Sequence, residues 1–221
     1  MTEIDASAQP IHRSEHRGPV LIAVLINLVL LLFIPDRVQL LPVWVVPTIG
    51  ALLLVPLLIL NPRRLRRETF WSRWASISLA ILLVLANQVT VVLTIDRLLD
   101  GQAKGADVLL TALQVWVSSV ISFGLVFWEL DRGGPVARRG DRTWNTARPD
   151  FRFPQYGVPG EELWRPGYVD YGYVAMTNMM AFSPTDAMPL TIRAKLLMAY
   201  QSLTGFVLLA LVISRAVNIL S

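Results

Sequence analysis

Cysteine is absent from the 221 residues, which excludes disulfides, thiolate catalysis and zinc–cysteine sites. Histidine is nearly absent. His12 and His16 both stand in the N-terminal tail, so the apolar part of the chain has no histidine for a metal centre or an acid–base dyad. Charge is scarce too, at 16% of residues against about 25% in an average soluble domain. The chain contains no His-Glu-x-x-His, no Gly-x-Ser-x-Gly, no Gly-x-Gly-x-x-Gly and no paired carboxylates inside an apolar run. No enzyme, no cofactor and no metal are expected from it.

Apolar residues fill the space that these absences leave. They make up 54% of the chain, and the mean hydropathy is +0.51. That excludes a disordered chain and argues against a soluble globular enzyme. Five runs approach the roughly 20 residues that a helix needs to cross a bilayer: Pro19–Ile34, Val43–Leu60, Trp74–Ile95, Val108–Trp128 and Leu196–Leu220. Pro35-Asp36-Arg37 follows the first run where a signal peptide would carry a small-residue cleavage site, so that run reads as a retained span. Trp71, Trp74 and Trp128 stand at run ends, as interfacial aromatics do. The expected fold class is all-α, a polytopic transmembrane helical bundle of about five spans with one re-entrant or interfacial hairpin. Its divisions are a tail (1–18), a four-span region (19–129), an aromatic and arginine-rich loop (130–167), and a hairpin with the last helix (168–221).

Positive charge sets the orientation. Arg13 and Arg17 lie in the tail, Arg63, Arg64, Arg66, Arg67 and Arg73 between runs two and three, and seven arginines from Arg132 to Arg165 in the long loop. The alternate loops hold only Arg37, Arg97 and Lys104. The bias places the N-terminus in the cytoplasm and the protein in an inner (plasma) membrane. The surplus, net +4 with a pI near 9.8, matches a bilayer with anionic headgroups, so nucleic acid need not be invoked. Residues 168–189 either cross or dip in and return. Pro184, Pro189, Asp170 and Asp186 make them a poor span, which favours re-entry.

Two sets of polar residues are candidates for chemistry. Thr177, Asn178, Ser183, Thr185 and Asp186 form the first, a candidate constriction at the hairpin, where Ser183, Thr185 and Asp186 also suit a simple backbone turn. Thr191 suits the N-cap of the last helix. The second set falls on helix faces: Asn87, Thr90 and Thr94; Thr111, Gln114, Ser118 and Ser122; Gln201, Thr204, Arg215 and Asn218. Polar groups in hydrocarbon turn toward protein or water, so these faces are expected to meet inside the bundle, as packing contacts or as a hydrated pathway. Arg215 would snorkel to the interface or pair with Asp96 or Asp107. Glu129, Asp131 and Arg132 are placed to cap the fourth span and pair with the loop.

The order Asp170–Thr177, Ala181–Asp186, Pro189-Leu190-Thr191 and a long final helix resembles the pore-helix, filter and inner-helix stretch of two-transmembrane potassium-channel-like proteins. The resemblance departs at the filter, where Ala181, Ser183, Pro184 and Thr185 replace threonine, glycine, tyrosine and glycine, and proline cannot supply the backbone that glycine does. The Phe182-Ser183-Pro184-Thr185-Asp186 turn, with Trp128–Pro135 and Phe151–Gln155, looks like that of bacterial inner-membrane proteins grouped as domains of unknown function. Two functions follow as expectations. One is a channel- or transporter-like protein, oligomeric and lined by spans three, four and five. The other is a non-transporting scaffold or accessory subunit that docks a partner protein through residues 130–167.

Overall fold

The computed structural model describes residues 15–35, 39–60, 69–99, 106–139, 148–180 and 187–220. Six α-helices form among them: α1 (Gly18–Leu32), α2 (Val45–Leu60), α3 (Phe70–Leu99), α4 (Ala106–Leu130), α5 (Tyr168–Met179) and α6 (Ile192–Leu220). Two short strands, β1 (Phe151–Arg152) and β2 (Met188–Pro189), pair antiparallel with Phe151 opposite Pro189. The all-helical expectation holds.

Three helices, α3, α4 and α6, are long and apolar enough to cross a membrane. α1 and α2 are apolar but hold 15 and 16 residues. At 1.5 Å per residue each is about 23 Å long, against roughly 30 Å of hydrocarbon. Proline explains part of their form. Pro19 starts α1, where its missing N–H costs nothing, and Pro56 sits inside α2. α3 begins four residues before its expected start because Thr69 caps it. The Thr69 N–H donates to Ser72 Oγ (2.9 Å), and the Ser72 N–H donates back to Thr69 Oγ1 (3.1 Å).

The core runs along α4, which packs against α3, α5, α1 and α6. Leu83, Phe123, Phe127, Tyr171, Val174 and Met179 are fully buried in it. α4 and α5 touch backbone to backbone at two glycines. A Cβ on Gly124 would lie 3.1 Å from Gly172 Cα, so any larger residue there would have to push the α5 backbone away by a few tenths of an ångström.

α5 starts beside Trp128 and Tyr168 rests edge-on against that indole, 6.4 Å between centroids. It ends beside Ser119, whose hydroxyl donates to Met179 Sδ at 3.8 Å. Trp128 and Ser119 are nine residues apart on α4, so α5 descends about 13 Å into the bundle. The chain then returns. β2 pairs with β1, and the Leu190 N–H donates to the Asp150 carbonyl at 2.7 Å. Both ends of the segment therefore lie at one end of the bundle, and the geometry is that of a hairpin. α6 starts from that same end.

Candidate functional site: a buried polar cap and the hairpin beneath it

Four carboxylates are buried where the loop meets the helices: Glu15, Glu129, Asp131 and Asp150. Each is met by donors from a different part of the chain. Glu15 accepts the Tyr168 N–H (2.8 Å) and the Trp128 indole N–H (3.2 Å), which ties the tail to α4 and α5. Glu129 accepts Arg73 Nη1 (3.3 Å) and the Ser76 hydroxyl, both from α3. Asp131 accepts the Asp150 N–H (2.7 Å), the Phe151 N–H (3.3 Å) and the Tyr171 hydroxyl (2.5 Å). Asp150 accepts the Thr191 hydroxyl and the Arg193 guanidinium, with Nε at 2.7 Å.

The fully buried Arg138 guanidinium lies over the Tyr171 ring (4.9 Å) and the Trp128 ring (5.9 Å), and Nη1 donates to the Trp128 and Asp131 carbonyls (2.6 and 2.9 Å). Its Nε and Nη2 make no hydrogen bond. The ring faces therefore supply part of the cation's solvation. Phe151 and Phe153 pack against Tyr171 at 6.0 and 5.3 Å, and Tyr156 and Trp164 continue the cluster. Burial, first, and the nearby Asp131 charge push the Tyr156 phenol above its ordinary value.

Asp131 joins the loop as its position on the sequence implied. Glu129 faces α3 instead, because Arg73 and Ser76 stand one helical turn apart and reach it together. Thr191 caps α6, accepting the Ala194 N–H at 3.3 Å. The sequence does not signal the Asp150–Arg193 pair, whose members are 43 residues apart.

The hairpin is held by amides. Asn178 Nδ2 donates to the Met198 carbonyl (2.8 Å) and Gln201 Oε1 (2.9 Å), while Gln201 Nε2 donates to the Ala175 carbonyl (3.0 Å). Two of the candidate residues, Asn178 and Gln201, are thus brought together. Thr177 bonds back to the Tyr173 and Val174 carbonyls of its own helix. Ser183, Thr185 and Asp186 lie outside the described residues.

The polar helix faces do not share one space. Gln114, Ser118 and Ser122 turn to α1. Gln114 donates to the Leu30 carbonyl, Ser118 donates to Asn27 Oδ1, and Asn27 Nδ2 donates to Ser122 Oγ (2.8 Å). Gln201 turns to α5, whereas Thr204 bonds back to the Tyr200 carbonyl at 2.9 Å. Thr90 and Thr94 likewise bond back to carbonyls four residues earlier. Val91, Val115 and Leu208 fill the place where α3, α4 and α6 pack together. These contacts pair the faces two helices at a time. Serines and amides take a partner on an adjacent helix, threonines bond back to a carbonyl of their own helix, and Val91, Val115 and Leu208 occupy the shared point. Asn87 is buried with Nδ2 unpartnered, as is the neighbouring Gln88 Nε2, although Gln88 Oε1 accepts the Tyr200 hydroxyl (2.9 Å). Arg215 is half-buried near the far end of α6, and the side chains of Asp107 and Asn218 lie outside the described residues.

Sequence reading overlooked Asn27, although a lone amide inside the run Val20–Phe33 is the kind of residue that hydrocarbon forces into a contact. Among the described residues no group of three or more metal-ligating side chains gathers. Comparison of the chain with known families, with curated proteins and with solved structures finds no match.

Proposed function

We propose that the chain is a five-span integral protein of a bacterial-type inner membrane, N-terminus cytoplasmic, and that it serves as a non-transporting scaffold or accessory subunit. One observation carries the choice over transport. Ser118 and Ser122 pair with Asn27 of α1, Gln201 pairs with Asn178 of α5, and Val91, Val115 and Leu208 fill the point where α3, α4 and α6 meet. Interhelical hydrogen bonds of this kind stabilise membrane bundles by about 0.6 kcal/mol each.

The loop end suits docking. Successive turns from Phe153 to Trp164, closed over the Phe153–Tyr156–Trp164 ring cluster, present Val158, Glu161, Glu162 and Leu163 to solvent. A rigid exposed surface lowers the ordering cost of binding a partner protein.

A second reading has its own support. α5 ends about halfway into the bundle, so its C-terminal carbonyls direct partial negative charge there, as a half-helix beside a cation path does. Reconstitution in liposomes separates the two. Under the scaffold reading, neither the wild type nor Asp186→Ala passes potassium, sodium or protons above protein-free vesicles. Flux that Asp186→Ala abolishes would overturn that reading in favour of a channel- or transporter-like protein, with the oligomeric form that such a path requires.

A further inference from the structure

Beside the cap, α1, α2, α3, the end of α4 and the turn after it line a half-open cavity of about 60 Å³. Its inner wall is apolar, built by Val20, Val24, Leu54, Leu57, Leu79 and Ala80. Its other wall carries two arginines, Arg17 and Arg73, two serines, Ser72 and Ser76, and one carboxylate, Glu129. Arg17 is almost fully buried and donates to the Leu57 carbonyl, one of the four that α2 leaves without an intrahelical partner. Arg73 is held by Glu129 through its side chain and through the Glu129 carbonyl at 3.0 Å. Both guanidinium groups are therefore pinned rather than free to follow solvent.

The depth of this cavity is marked independently. Phe70, Trp71 and Trp74 are exposed on the first turns of α3, on either side of Ser72 and Arg73. Exposed indoles at the end of an apolar helix settle at headgroup level. A cationic, hydroxyl-bearing wall at that depth faces phosphate, and an apolar wall one turn deeper faces acyl chain.

We propose that this cavity binds one anionic glycerophospholipid, its phosphate at Arg17 and Arg73 and one acyl chain along the Val20–Leu54 wall. The volume is on the scale of a phosphate group, so the phosphate sits in it and the rest of the lipid follows the helix surface. A zwitterionic lipid brings its own cation toward the two arginines, and inorganic phosphate gains nothing from the apolar wall. The proposal rests on the membrane reading and goes beyond a general attraction to anionic headgroups by assigning a single site.

The test is a lipid titration of the detergent-purified full chain, followed by native mass spectrometry and by tryptophan-fluorescence melting. Phosphatidylglycerol, phosphatidylcholine and inorganic phosphate are the probes. The wild type should retain one phosphatidylglycerol, with at least about a tenfold preference over phosphatidylcholine. Its melting midpoint should rise by about 5 °C at saturation, and inorganic phosphate should leave it unmoved. Arg17→Gln and the cavity-filling Ala80→Leu should each lose the bound lipid, while Arg152→Gln, at an exposed position of β1, should keep it. Equal retention of phosphatidylcholine, equal protection by phosphate, occupation of the cavity by a second copy of the chain, or unchanged lipid on Ala80→Leu would overturn the proposal. If either variant fails to fold, the three-probe titration of the wild type decides alone. Failure of the protein to sediment with membranes after carbonate extraction would instead refute the membrane reading on which this rests.

Discussion

Asp131 receives a phenol and two backbone amides while having almost no contact with water. Replacing it with alanine leaves those three donors unsatisfied and removes the negative charge beside Arg138. Such losses cost about 3–5 kcal/mol when a buried charged network is broken. Tyr171→Phe removes one donor only, and about 1–2 kcal/mol is expected. Unfolding in sodium dodecyl sulfate, followed by tryptophan fluorescence, should rank the two in that order. A smaller effect for Asp131→Ala would mean that the cap does not depend on this carboxylate. Tyr156 sits at the rim of the same network. Its phenol is raised in the folded state, so its contribution to stability is complete below the ordinary tyrosine value of about 10 and fades as pH climbs above it. A difference titration at 295 nm between wild type and Tyr156→Phe should show no ionisation near pH 10. Ionisation there would place Tyr156 in solvent.

Elements meet where side chains are missing. α5 lies against α4 through Gly124 and Gly172 and against α6 through Gly205, where a Cβ would come within 2.6 Å of the Met179 carbonyl. Gly205→Leu should therefore push the end of α5 away from α6 and break the Asn178–Gln201 pair. Backbone amides of residues 168–179 should then exchange at least about tenfold faster, with α4 little changed, since about 1.4 kcal/mol of local opening is a factor of ten. Uniform exchange across both helices would show that α5 is not a separately docked unit. These helices were legible because apolar runs and their bounding prolines and tryptophans are local signals. Their ends were less so. α3 starts at Phe70 because Thr69 and Ser72 cap each other, and short hydroxyl caps leave no trace in a hydropathy pattern.

At the scale of the whole molecule, the five-span reading takes the hairpin as making the number of crossings odd. The starts of α1 and α3 and the end of α4 share one end of the bundle, where Glu15, Arg73 and Asp150 hold their neighbours together. α6 leaves from that end, so the final residues reach the opposite one. The chain has no native cysteine, so single cysteines read this directly in intact cells. Under the five-span reading, Lys104→Cys and Ser221→Cys react with a membrane-impermeant maleimide, whereas Arg66→Cys and Arg152→Cys react only after permeabilisation. Labelling of Ser221→Cys only after permeabilisation would mean that residues 168–189 cross.

Composition and the spacing of apolar runs by themselves determined that the chain is helical and suited to a membrane. Hydrophobic burial is summed over a segment, and no partner is needed to read it. The bias of its arginines carries an expected orientation in the same additive way. Tertiary structure alone decided that the hairpin returns, that Asp150 meets Arg193, and that Ser118 and Ser122 meet Asn27. A hydrogen bond in hydrocarbon is satisfied by whichever group lies within about 3 Å. Which group that is depends on how two helices cross, which neither segment specifies by itself.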